Sequence, residues 1–224
     1  QVLESVIDIT DRRVAENELQ RNQHRLACIN ECLAGLGIDH EVNINTLTGL
    51  CGELLDATCA IYNRLDTDLL CSIGEWNTPP DYEAEDTPEG HICYDVIRAE
   101  SSGTLVVRNL PDTPYYESDP NVAKYGLKTY IGHPVLCNGR SIGSLCVVFQ
   151  SDVVPADEDK RILGIIASAM GTEEDRHQLE RELYEANLRY REITRGGGVG
   201  LWDWNLATNQ VYYSPEWKAQ IGYA

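Results

Sequence analysis

Apolar positions concentrate between Lys128 and Gln150, where two apolar β-rich runs, Tyr130 to Cys137 and Ser141 to Phe149, flank Asn138, Gly139 and Arg140. An Asn-Gly pair between such runs predicts a β-hairpin. Gly132 and Gly143 lie inside the two runs, where a packed partner or a ligand can approach the backbone closely. The hairpin thus predicts the centre of an antiparallel sheet. Cys59 to Leu65 and Leu69 to Trp76, around the polar turn Asp66, Thr67, Asp68, predict two more strands, and Thr104 to Asn109 another.

Helical spacing dominates on either side. Ala15, Leu19, Asn22, Leu26, Ile29, Leu33 and Leu36 recur at alternating steps of four and three, a heptad seam that predicts a coiled-coil helix flowing into a domain helix. Before it, positions 2–10, VLESVIDIT, read as a single strand. Asn43 to Leu55 predicts a second helix, His91 to Ala99 a short one and Asn121 to Gly126 a helical turn. The acidic, proline-bearing stretches Pro79 to Gly90 and Leu110 to Pro120 read as surface loops. From Asp157 a long helix carries Ile162, Ile165, Ile166, Ala169 and Met170, and then a second seam, Leu179, Leu183, Ala186, Tyr190 and Ile193. Gly196 to Gly198 break it, and two strands follow around Ala207 to Asn209.

Charge narrows the partners. Lys and Arg number 18 against 36 Asp and Glu, and the net charge of -18 repels phosphate backbones and anionic lipid. Nucleic acid and direct membrane contact are therefore not expected, and no apolar run approaches the roughly 20 residues of a membrane span. The eight cysteines form no CxxC pair, which predicts reduced thiols in a cytoplasmic setting. The acidic run Glu83, Glu85, Asp86, Glu89 lacks the ligand spacing of a calcium loop and reads as solvated. The chain opens on Gln1 and stops inside an unfinished segment, as expected for a piece of something longer.

The segment 24–172 resembles a GAF domain, most specifically through Gly-His-Pro-Val, Asn-Gly and Ile-Gly-Ser-Leu in the hairpin from Tyr130 to Val148. VLESVIDITDRR, within 1–13, is similar to the last strand and exit of a PAS domain, and residues 196–224 are similar to the opening strands of a second one, leaving 14–23 and 173–195 as helical linkers. The resemblance implies an α+β fold, a central antiparallel sheet with helices on one face and a ligand pocket on the other. The PAS-GAF-PAS order implies a sensor and relay segment, typically of a two-component histidine kinase, acting as a homodimer through its terminal helices. No catalytic output motif is present in the segment, so it is not expected to be an enzyme itself. The alternatives are a structural dimerisation spacer and a thiol-dependent enzyme resembling free methionine sulfoxide reductases, in which Cys71 and Cys93 would pair.

The resemblance implies a pocket roofed by 82–99 and 109–127. Residues able to do chemistry there are His91, Cys93, Tyr94 and Tyr115, with Tyr62, Cys71, Tyr130, His133 and Cys146 from the strands. Strand alternation sends Tyr130 and His133 to opposite faces and does not say which enters the pocket. A haem would take an axial ligand from His91, Cys93 or His133. A bilin would take a thioether to Cys93, although Tyr94 stands where a histidine usually follows. The third reading is a small colourless ligand or none.

Overall fold

The computed structural model describes residues 2–99, 103–196 and 200–223. The chain divides into two compact units, Gln1–Asp175 and Arg176–Ala224. The first opens with helix α1 (Val2–Gly35), so the strand expected at 2–10 is instead part of a helix. The reason is physical. A strand needs a neighbour for its N–H and C=O groups, whereas 2–34 has no glycine or proline to interrupt intrahelical hydrogen bonds.

Helix α2 (His40–Leu54) follows, its N-terminus capped by Asp39, whose carboxylate accepts the Val42 N–H at 3.1 Å. Strands β1 (Cys59–Asp66) and β2 (Leu69–Trp76) form the first hairpin, and β3 (Glu85–Asp86) is a two-residue edge. Helix α3 (Ile92–Arg98), strand β4 (Leu105–Arg108) and the short helices α4 (Tyr115–Ser118) and α5 (Pro120–Lys124) precede the central hairpin of β5 (Thr129–Cys137) and β6 (Arg140–Phe149). Helix α6 (Asp157–Gly196) leaves the unit at its far end. The six strands lie in the order β3-β2-β1-β6-β5-β4, and all neighbours are antiparallel.

Each face of the sheet has its own core. One, with Ile44, Leu47, Tyr62, Ile131, Val135, Leu145, Ile162 and Ile166, packs β1, β5 and β6 against α2 and α6. Ile29 of α1 joins it, and Arg25 ties α1 down by donating to Asp159 at 2.8 Å and to the Leu54 carbonyl at 2.9 Å. The other core, with Ile61, Leu70, Ile92, Val96, Leu110, Val122, Tyr130 and Val148, lies under the short helices. The faces are sorted by strict alternation along β1, interrupted on β2, where three residues, Ser72 to Gly74, oppose the adjacent pair Tyr62 and Asn63. This bulge keeps Ser72 on the second face and turns Gly74 toward α2.

The predicted seams are only partly used within the units. Ile29 is buried, while Leu19, Leu26 and Leu33 on α1 are exposed, as are Leu179, Leu183 and Tyr190 on α6. The predicted break at 196–198 falls largely outside the described residues, as does the side chain of Ile193. In the second unit β7 (Trp202–Asn205) pairs antiparallel with β8 (Gln210–Tyr213). Helix α7 (Pro215–Gln220) follows, capped by Ser214, with Tyr213 and Trp217 rings 4.3 Å apart. Trp202, Leu206 and Tyr212 stay exposed, because so short a hairpin has too little surface to cover them.

Candidate ligand-binding site

A cavity of about 310 Å³ opens between the second face of the sheet and the short helices. Its floor is Cys59, Ile61 and Asn63 of β1, Leu70 and Ser72 of β2, Tyr130 of β5, and Cys146 and Val148 of β6. Its roof is His91, Ile92 and Cys93 around the start of α3, and Asp119 to Val122 around α5. Tyr82, Lys124 and Tyr125 stand at the mouth.

Tyr130, not His133, faces this side. The Tyr130 ring lies over Gly132, whose missing Cβ makes room for it, and its hydroxyl is 3.1 Å from Ser144 Oγ. Burial and the neighbouring thiols Cys146 and Cys93 push the phenol well up, so it stays neutral. His133 points to the other face against Gly164 of α6, its Nδ1 2.9 Å from Thr104 Oγ1, and burial lowers its pKa. The remaining departures from the expected set follow the same alternation. Tyr62 lies on the helix face, with its hydroxyl donating to Glu174 at 3.0 Å. Cys71 is opposite Arg64 in the register and shares its face, away from the cavity. Cys71 and Cys93 are therefore separated by the sheet and do not form a pair of reacting thiols. Tyr94 turns outward under the Arg98 guanidinium, and Tyr115 donates to Asp95 at 2.7 Å on the outer side of the roof. Of the nine expected residues, His91, Cys93, Tyr130 and Cys146 line the cavity.

The polar organiser of the roof is a group the sequence reading did not single out. Asp119, 6% exposed, caps α5 by accepting the Asn121 N–H at 3.1 Å and accepts the first N–H of α3, from Ile92, at 3.1 Å. Its Oδ1 is 3.5 Å from His91 Nδ1, and the other ring nitrogen, Nε2, is 3.1 Å from Asp86 Oδ2. His91, 5% exposed, is thus clamped between carboxylates from two segments. Its pKa is raised, chiefly by the hydrogen bond to Asp119 and against the opposing pull of burial. Asp86 is lowered: burial alone would raise it, but the Thr87 N–H and His91 outweigh that.

A second polar chain crosses the floor. Ser72 Oγ donates to Asn63 Oδ1 at 2.6 Å, and having spent its one proton it accepts from the Tyr82 hydroxyl at 2.7 Å. Among the described residues the partner of Asn63 Nδ2 is Cys146 Sγ, at 4.0 Å, a weak acceptor at the outer limit of reach. Tyr82 and Ser72 carried no signal in the sequence. Asp119 did carry one, since Asp followed by Pro at a helix start is a cap signature.

The residues do not fit a haem. Both nitrogens of His91 are engaged by carboxylates, His133 is on the wrong face, and Cys93 is held as a thiol because burial, with Asp119 nearby, pushes its pKa far up. Cys93, where a thioether to a bilin would form, is buried, and burial pushes its thiol pKa up. Among the described residues no group of His, Cys, Asp and Glu is arranged to hold a metal ion.

The architecture is a six-stranded antiparallel sheet with long helices on one face and a roofed cavity on the other. The chain belongs to the GAF domain family, whose model matches residues 39–173. The sequence matches no protein of curated function. Among solved structures it is similar to the GAF domain of a phosphoenolpyruvate-protein phosphotransferase from Coxiella burnetii, at 13% identity and a TM-score of 0.60 over 72% of this chain and 98% of that one. It is also similar to a GAF domain assigned to a sensor histidine kinase from Pseudomonas syringae pv. tomato, at 13% identity and 0.57 over 77% and 99%. A third similar fold is free methionine-R-sulfoxide reductase from Neisseria meningitidis, at 19% identity and 0.55 over 67% and 87%. These likenesses establish the α+β GAF fold.

Proposed function

We propose that this chain is a sensor and relay segment of a cytoplasmic signal-transduction protein, with a two-component histidine kinase as the whole, and that it is not itself an enzyme. The observation that carries the reading is the two-faced use of β1. Asn63 lines the cavity, while its neighbours Tyr62 and Arg64 reach through the other face to Glu174, at 3.0 and 3.3 Å. Glu174 belongs to a run of three carboxylates at the point where α6 leaves the unit. Glu173 accepts from Asn43 at 2.9 Å, and Asp175 accepts the Asn138 N–H of the central hairpin at 2.8 Å. A ligand that shifts Asn63 acts on the strand that holds the exit of α6, and the shift passes along the helix. The exposed seams Leu19, Leu26, Leu33 and Leu179, Leu183, Tyr190 then serve a parallel homodimer. The hairpin and helix of 202–220 open a further sensor module of the PAS kind.

Hydrogen exchange tests the relay. Saturating the cavity with a ligand is expected to change amide protection both in α3 and α5 and at residues 170–176 of α6. Protection that changes in the roof alone would leave the domain as a spacer with a pocket.

A further inference from the structure

We infer that the cavity takes a compact, uncharged ligand with an aromatic or cyclic apolar body and one hydrogen-bond acceptor, and that it rejects phosphates, carboxylates and other anions. This rests on the sensor reading of the cavity and names its ligand class.

Charge is the first ground. Three carboxylates, Glu83, Asp86 and Asp119, line the cavity, and among the described residues no arginine does. Anion sites take most of their energy from a guanidinium fork or from several donors converging on the charge. Both cationic side chains here are already spent. His91 lies between Asp86 and Asp119, and Lys124 donates to the Asp81 carbonyl at 2.8 Å, with its carboxylate 3.4 Å away. An anion entering would meet the Asp119 carboxylate inside and Glu83 and Asp86 nearer the surface, with no free cation to offset them among the lining residues described, within a chain of net charge -18.

The second ground is a buried donor left with a weak partner. The chain from Tyr82 through Ser72 to Asn63 runs in a single direction, because Ser72 donates to the Asn63 carbonyl and must accept from Tyr82. It ends at Asn63 Nδ2, 5% exposed by residue, facing a sulfur at 4.0 Å. A buried amide N–H without a strong acceptor is costly, and a ligand carbonyl or hydroxyl supplies the missing partner. Around it the walls are apolar, and the Tyr82 and Tyr125 rings, 6.5 Å apart and tilted by 49°, offer faces for a flat body at the mouth. A volume of about 310 Å³ sits at the small end of ligand pockets, which limits that body to one or two rings.

Three probes of one shape and different charge separate the possibilities: benzamide, benzoate and benzylamine, titrated into the purified chain at constant ionic strength while amide and methyl NMR shifts are followed. Benzamide is expected to bind with shifts at Asn63, Ile92 and Val122, and benzoate at least tenfold more weakly. Asn63→Ala is expected to weaken benzamide about fivefold, as removal of one buried hydrogen bond does. Tyr82→Phe, which takes away the donor that orients Ser72, gives a smaller loss and serves if Asn63→Ala does not fold. Benzoate binding in the cavity as tightly as benzamide, or benzylamine binding tenfold more tightly than both, overturns the ligand class and leaves the cavity reading standing. If none of the three shifts cavity residues at millimolar concentration, the cavity reading itself fails and the ligand class fails with it.

Discussion

Replacing Asp119 by alanine removes three interactions at one stroke. The carboxylate holds the Asn121 and Ile92 N–H groups, each at 3.1 Å, and its Oδ1 faces His91 Nδ1 at 3.5 Å. A lost helix cap costs about 1 kcal/mol, and a hydrogen bond to a charged group about 1.5 to 3. Some of this is recovered by water entering the roof, so the expected loss is about 3 kcal/mol, a large part of the roughly 5 to 15 that a domain has. For a domain of this size that lowers Tm by about 10 °C. The pH dependence separates the clamp from the caps. His91 is raised in the folded state, so its contribution is complete below its unfolded value of about 6.5 and is lost as pH rises through the raised value. Asp86 is lowered, so its share is present above about pH 3.9 and is lost as pH falls through the lowered value. The gap between wild type and Asp119→Ala in urea unfolding is therefore expected to be widest near pH 5.5 and narrower near pH 8.5, about the limits that these two titrations set. A gap below about 1 kcal/mol at both pH values, or one that widens as pH rises, would refute the clamp.

Other perturbations read other parts of the fold. Gly171→Ala, although alanine is the better helix former by about 1 kcal/mol, is expected to lower stability by about 1 to 3 kcal/mol in thermal unfolding, because its Cβ would meet the Leu136 carbonyl of β5. Tyr62→Phe is expected to cost about 1 to 2 kcal/mol and to speed hydrogen exchange at residues 173–175, with unchanged exchange there counting against the link through β1. Titration with Ellman's reagent is expected to modify Cys28, Cys32 and Cys71 in the native protein. Cys51, Cys59, Cys93, Cys137 and Cys146, all buried, are expected to react only on unfolding, as peptide mapping of the labelled sites will check.

The hairpin and the sorting of apolar residues were legible because both depend on local signals, a turn pair and a period of two. Alternation, however, fixes only that Tyr130 and His133 part company. Which of them meets the cavity depends on where α6 packs, a long-range fact that the strand pattern does not carry. The same limit hid Tyr62, whose hydroxyl finds its partner 112 positions further on. Positions 2–10 misled for the opposite reason, since β-branched residues favour a strand only when a sheet edge is there to receive it. Asp119 and Asp86 read as polar punctuation in loops, and their roles depend on His91 lying between them. Tyr82, Ser72 and Asn63 are ordinary residues that become a donor chain only when the bulge on β2 brings Ser72 beside Asn63.

The alternating use of β1 also determines which changes of length the chain can accept. Inserting or deleting one residue between Cys59 and Tyr62 would exchange the two sides of the strand, handing the amide of Asn63 to α6 and the phenol of Tyr62 to the cavity. The turn between Asp66 and Leu69 lies beyond both groups and can lengthen without that penalty. Pocket chemistry and helix attachment are thus written in adjacent letters of one short word. Substitutions can alter either separately, but a change in the spelling length scrambles both.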